Sequence, residues 1–463
     1  MLLVEDRKMN VKGLKSLRKE LDVFLTEFDG CIKTGASREH LRTYVSGQLS
    51  DLERKSIEPI ALEAGVPPRS LQEFLGLHRW DHVGVRRRVG ERVMEHHADP
   101  NAIALVDETS TAKKGDETAG VQRQYCGSTG KIDNCVVTVH LGYAAGDFQA
   151  LVDGDLYIPE ETWAANPERR RKVGIPDSVV YRPKWQIALD ILDRSAANGV
   201  RFKYLTADET YGKVGAFREG VDQRGLLYVV EVPCSLCGWT TRPGVIGPAK
   251  AQGTNGRPRT RTRLDASAPP ARRVDALVSR KRPAWKTFHI KNTEKGPVVW
   301  AAKATRFSPW SDGLPGDEVW LVMARNALDG EVKFFLSNAP RTVPIPVLLH
   351  VAFSRARIER LFEDSKGEVG LDHFEVRHYL SIQRHLILSM VSLLFLAEQT
   401  QRLRKKKLGM ESGPGAGSRR SPARSRTSGG GADPPTGGCA GQNPILAAHG
   451  TRGRTVPQKG TIS

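Results

Sequence analysis

The sequence predicts an α/β fold, a mixed sheet flanked by helices, with a helical segment before it, a β-rich insertion within it and a disordered tail after it. Three observations carry this reading. Residues 12–98 place apolar side chains at helical spacing almost throughout, as in LKSLRKELDVFLTEF. Two short apolar runs, at 102–106 and within RFKYLTA at 201–207, have the length of buried strands, and an amphipathic helical stretch at 183–200 separates them. Strand-like pieces then fill 285–340 before long helices return at 346–407.

The chain has 463 residues, too many for one ordinary core. By pattern it divides into a helical part at 1–98, a first part of the core at 99–233, the insertion at 234–343, helices that complete the core at 344–407, and a basic Gly- and Pro-rich tail at 408–463. Net charge is +18 and the pI about 9.7. Residues 401–463 hold 12 Lys and Arg against 2 acids, so +10 of the excess lies there and about +8 in the body. A basic body is compatible with a polyanion partner, though modestly so. Six cysteines over this length make no disulfide framework, which fits a reducing cytoplasm. MLLVEDRKMN lacks a signal-peptide pattern, and the run LILSMVSLLFLA at 386–397 is too short to span a bilayer, so it reads as a buried helix and no membrane is expected.

Within the helical part, IALEAGVPPRSLQEFLG at 60–76 has the form of a helix-turn-helix. Ala61 and Ala64 allow close packing, Gly65 sits at the turn, and Pro67 and Pro68 open a second helix carrying Arg69, Ser70 and Gln72. Recognition of DNA through Arg69 and Gln72 stands only slightly ahead of plain helical packing, because such pairs are common in bundles that bind nothing.

The run at 102–106 ends at Asp107 and Glu108, which an apolar strand has no packing reason to hold. A carboxylate fixed at the mouth of a buried strand suits a metal ligand, whereas a strand-end turn is the plainer reading of one Asp alone. TAKKGDETAG supplies a turn, and VQRQYCG and CVVTVHLGY read as two further strands joined by STGK. The arrangement repeats at Asp208 and Glu209, after the second apolar run. If the two strands are sheet neighbours, Asp107 and Asp208 share a divalent cation; otherwise they are unrelated strand-end acids.

Residues 168–172 read as a solvated charged face. GAFREGVDQRG is a helix and LLYVVEVP a strand. Gly, Pro and Arg dominate 243–283, a flexible basic lead into the strands WKTFHIKN, PVVWAAKATRF, EVWLVMAR and VKFFLSNAP. Cys234 and Cys237 form a lone CxxC with no second pair at metal spacing, so no zinc is expected. Farther on, Arg355, Glu359 and Lys366 fall at i, i+4 and i+11 near one helix face, either an exposed salt-bridge ladder or a phosphate-handling surface, and Glu363 can substitute for Glu359. Beyond 408 apolar periodicity disappears, and the tail reads as disordered. Its arginines add nonspecific DNA affinity or are products of a shifted reading frame.

Three blocks together resemble the bacterial insertion-sequence transposases of the DDE superfamily, in the group with the Tyr-Arg-Glu-Lys signature. They are DETSTAKKG with GVQRQYCGSTGK, LTADETYG, and RARIERLFEDSKGEVGLDHFEVR, and the resemblance runs from roughly 20 to 400. It implies a ribonuclease-H-like core with Asp107, Asp208 and Glu359 as catalytic residues and metal ligands for two Mg²⁺ ions, Mn²⁺ being a substitute. It also implies that Arg355 and Lys366 hold DNA phosphates, that transposon ends and target DNA are the partners, and that the complex joining two ends is a homodimer. Cleavage of the ends and strand transfer, in a cytoplasmic, nucleoid-associated protein, follow from the same resemblance. Ala352 stands at the signature Tyr, Ala356 where Trp is frequent, and Arg360 where an acid often follows the Glu. Rival readings are a catalytically impaired relative that binds ends without cutting, a DNA-binding regulator built on the helix pair, and a metal-dependent repair nuclease.

Overall fold

The computed structural model describes residues 11–248, 260–293 and 296–411. Most of the tail expected to be disordered, and residues 249–259 of the basic lead, lie outside the described residues.

The chain opens with α1 (Val11–Thr26), α2 (Gly35–Gln48), α3 (Ile57–Glu63), α4 (Pro68–Gly76) and α5 (His82–His97). The starts are set by local chemistry. Thr34 accepts from Ser37 N, Asp81 accepts from Gly84 N, and Pro68 occupies the first turn of α4, where no amide partner is lost. Each helix buries one stripe, such as Leu41, Tyr44 and Val45, or Val85, Val89 and Val93. These stripes pack on α12 (Tyr379–Glu411), the last helix.

Length and composition would let the stretch Tyr379–Arg404 of α12 cross a membrane, but 83% of its 18-residue apolar window is buried inside the fold. Several of its polar groups find partners there. The Tyr44 hydroxyl meets His385 Nδ1 at 2.8 Å, Gln48 Nε2 donates to Ser389 Oγ at 2.8 Å, and Ser392 Oγ donates to Gln48 Oε1 at 2.8 Å.

The sheet begins with β1 (Ile103–Ala112), β2 (Gln122–Cys126), β3 (Lys131–Ala145) and β4 (Phe148–Leu156). After α6 (Pro167–Lys172) and α7 (Lys184–Ala197) come β5 (Tyr204–Ala207), α8 (Glu209–Gly212), α9 (Gly215–Gln223) and β6 (Leu227–Val232). Strands β1, β5 and β6 run parallel, β3 lies antiparallel to β1, and both β2 and β4 pair with β3. The order β4–β3–β1–β5–β6 is a ribonuclease-H-like mixed sheet, as the sequence resemblance implies. β4 and β5 run in the same direction, so the chain has to cross over between them, and α7 lies on that crossover.

Within the insertion come β7 (Cys237–Trp239), β8 (Val245–Ile246), β9 (Arg263–Leu264), β10 (Arg272–Arg273), β11 (Lys286–Thr293), β12 (Gly296–Ser311), β13 (Leu314–Pro315), β14 (Val319–Asn326) and β15 (Val332–Ser337). Among the described residues only the β8–β9 ribbon stands apart; β15 pairs antiparallel with β6, Phe334 opposite Val232, so the insertion widens the main sheet. The chain then returns through α10 (Ile345–Phe353) and α11 (Ala356–Val369), which ends at Gly370 in the left-handed conformation, φ 67°.

Two local expectations change. The first strand does not end at Val106 but continues to Ala112, because its antiparallel pairing with β3 persists to Ala112 opposite Cys135, while its parallel partner β5 stops at Ala207 opposite Val106. The charged run at 168–172 is not simply solvated. Arg169 lies over the Trp163 ring at 4.0 Å, and Arg170 donates to the carbonyls of Ala164, Pro176 and Val179.

Candidate active site

The site forms where the parallel part of the sheet stops. Val106 pairs with Ala207, so Asp107 and Asp208 are the next residues of adjacent strands. Counting on from Leu205 opposite Tyr228, Glu231 falls at the same level of β6. Three parallel strands thus each deliver one acid at one height.

Asp107 is held by the strand, its side chain 15% exposed, and its Oδ1 accepts from Glu108 N at 2.8 Å. Asp208 caps α8, accepting from Thr210 N at 2.9 Å and Tyr211 N at 3.4 Å. Glu108 points to the other side, where Lys184 Nζ of α7 donates to it at 2.7 Å.

The third predicted acid arrives on α11. Glu359 is 53% exposed and meets Arg355 Nη2 at 2.5 Å. Arg355 also places Nη1 3.5 Å from Asp107 Oδ2 and Nε 3.7 Å from Glu231 Oε2. Its guanidinium therefore stands among three carboxylates from three elements. Burial works against its charge, but Glu359, Asp107 and Glu231 outweigh that and hold it above the usual arginine range. The sequence left Arg355 as either a rung of a salt-bridge ladder or a phosphate contact; here it pairs with Glu359 and also reaches carboxylates of two strands. Among the described residues no three His, Cys, Asp or Glu side chains converge closely enough to hold a cation by themselves. Between Asp107, Glu231 and Glu359 stands the Arg355 guanidinium.

Lys366 donates to Ser110 O at 3.4 Å. Glu359 to Lys366 is two turns, about 10 Å of helix, and Asp107 to Ser110 is about 10 Å of strand, so α11 tracks β1 outward from the acids. Glu363 pairs with Arg360 at 3.2 Å, whereas Glu359 meets the arginine that reaches Asp107. Arg360 pairs with Asp364 as well, at 3.1 Å. Ala352 is buried in α10, and Ala356 is exposed at the start of α11. Arg69 and Gln72 lie elsewhere, in the wall of a cavity of about 740 Å³ that also includes Arg377 and His378 but none of the three acids.

Sequence reasoning missed Glu231 and its partner Lys333, whose Nζ donates to Glu231 Oε1 at 2.9 Å. The available signal was a lone acid inside the apolar strand LLYVVEVP.

The electrostatics fit a divalent cation. Burial, then Asp208 and Glu108, push the Asp107 carboxyl up to about 7. Burial and Glu108 also raise Asp208. Crowded carboxylates of this kind carry excess negative charge that a hard cation relieves, and oxygen donors suit Mg²⁺.

Residues 27–297 match the family model described as "DDE superfamily endonuclease". The matched stretch includes Asp107 and Asp208 and stops before Glu359. A 190-residue stretch is 31% identical to a protein of Microchaete diplosiphon named "Probable transposase for insertion sequence element IS701", covering 40% of this chain and 46% of that protein. The similarity thus spans under half of that relative. With more than half of its residues in the family match, the chain belongs to the DDE superfamily of endonucleases.

Proposed function

We propose that this protein is a DNA transposase that cuts transposon ends and joins them to target DNA by a cut-and-paste route. The observation that carries the proposal is the placement of Asp107 and Asp208 at one height on neighbouring parallel strands, with Glu359 brought to Asp107 through Arg355. The relative named as a transposase supports it. Asp107, Asp208 and Glu359 would hold two Mg²⁺ ions, or Mn²⁺ in their place, and such a pair activates the attacking oxygen and stabilises the leaving one.

In the first reaction the oxygen of water attacks the phosphorus at the transposon end, and the bond to the 3′ oxygen breaks. The freed 3′-hydroxyl then attacks a target phosphodiester at the same site, forming a new P–O bond while the target's own P–O3′ bond breaks and its 3′ oxygen leaves as a hydroxyl. Arg355 orients a phosphate by its two-pronged edge, while Lys366, two turns along α11 from Glu359, holds the adjacent backbone as a point charge. Arg69 and Gln72 on α4 contribute DNA contacts away from the acids. Joining two ends in one complex calls for two copies of the chain.

The test is cleavage of a labelled duplex carrying the terminal repeat that flanks this reading frame, with Mg²⁺ or EDTA, the wild type beside Asp107→Ala. Metal-dependent nicking at the junction, lost in the variant, is the expected result. End binding without nicking would instead support an impaired, end-occupying protein, the reading that Ala352 and Ala356 favour as departures from the signature.

A further inference from the structure

The guanidinium of Arg355 has two working edges. Its Nη edge faces Asp107 and Glu359, the oxygens that a divalent cation needs, and its Nε faces Glu231. A cation and the guanidinium cannot both own those oxygens, so loading the site requires the Nη edge to let go. What the arginine does next depends on Glu231. This carboxylate lies on β6, outside the predicted triad, and Lys333 of β15 already engages its other oxygen.

We infer that Glu231 is a positioning residue that anchors Arg355 by its Nε side, so that the Nη edge can leave Asp107 and Glu359 for a DNA phosphate without the guanidinium leaving the site. The inference rests on the reading of Asp107 and Glu359 as cation ligands. It gives the site a built-in exchange. One arginine neutralises the acids before loading and serves a phosphate afterwards, with Glu231 its constant partner. A planar fork of five donors is suited to this, because one edge can stay bonded while the other changes partner. Lys333 tunes the anchor by competing for Glu231, which links β15 of the insertion to the catalytic acids.

The experiment measures Mn²⁺ binding to the full chain without DNA, by calorimetry and by the paramagnetic resonance signal of free Mn²⁺. The proteins are wild type, Glu231→Gln, Arg355→Gln and the double variant. Glu231→Gln leaves Arg355 with no carboxylate to retreat to, so Mn²⁺ should bind about three- to fivefold more weakly, the upper part of the range of one partly exposed ion pair. Arg355→Gln removes the competitor, and binding should tighten. In the double variant the effect of Glu231→Gln should shrink to within about twofold, because it acts through the arginine. An undiminished loss in that background would mean that Glu231 acts on the cation directly, and the inference would fall. So would it if Glu231→Gln left Mn²⁺ affinity unchanged. Absence of Mn²⁺ binding to wild type would instead overturn the cation site itself, and this inference with it. Should Glu231→Gln unfold, the same cycle with Lys333→Met decides: stronger binding in the wild-type background and no effect beside Arg355→Gln is expected, and an equal effect in both overturns the anchor.

Discussion

Asp107 and Asp208 leave adjacent parallel strands at the same height, one residue beyond the paired Val106 and Ala207. Asp107 has an arginine 3.5 Å away but shares it with Glu359 and Glu231. The pair therefore stores electrostatic repulsion whenever both are ionised.

Burial of Asp107, with that repulsion behind it, makes stability fall as pH rises. The Asp107 carboxyl titrates near 7 in the folded chain, against an ordinary 3.8. Between those values the folded state binds the extra proton, so unfolding becomes easier as pH rises from about 4 to about 7. Asp107→Asn removes the charge. In EDTA at pH 8 this variant should exceed the wild type in stability by at most about 4 kcal/mol, roughly three pH units at 1.36 kcal/mol each, with relaxation reducing the figure. At pH 4 the two should nearly coincide. Denaturant melts at both pH values provide the check, and an equal gap at both would contradict the assignment.

Asp208→Asn should abolish cleavage while leaving end binding intact. Asn still caps a helix, so α8 should survive the change. Parallel gel-shift and nicking assays measure the two properties, and nicking at the wild-type rate would remove Asp208 from the ligand set.

Lys366→Ala should weaken binding to the transposon end and lower the slope of log K against log salt by about one, the signature of one lost phosphate contact. Binding titrations at several salt concentrations read this out. An unchanged slope would assign Lys366 to its Ser110 carbonyl bond alone.

Gly212→Ala tests the architecture beneath the site. A Cβ at Gly212 would come 1.8 Å from the carbonyl oxygen of Glu231, a backbone atom that cannot swing aside. The substitution should cost on the order of 3 kcal/mol and displace either α8, which Asp208 caps, or β6, which carries Glu231. Thermal melting should show the loss, and a melting temperature within a degree of wild type would mean that the α8–β6 contact is looser than described.

The sequence by itself determined what is local. Apolar spacing marked α1 to α5 and α12, the acids at 107 and 208 announced themselves as polar residues closing apolar runs, and the i, i+4, i+11 spacing put Glu359 and Lys366 on one side of α11. Each signal is carried by residues a few positions apart, where backbone geometry alone dictates who shares a face. Only the tertiary structure decided what depends on strand order and long-range packing. Tyr44 finds His385 across 341 positions, so the first helices are built onto the last. Register set β1 beyond its parallel partner and left Asp107 inside the strand. Glu231 looked like one stray acid until β6 came to lie beside β5. The neighbour that neutralises each acid, Arg355 for Asp107 and Lys333 for Glu231, is a matter of distance in space, because charges act over a few ångströms whatever their separation along the chain.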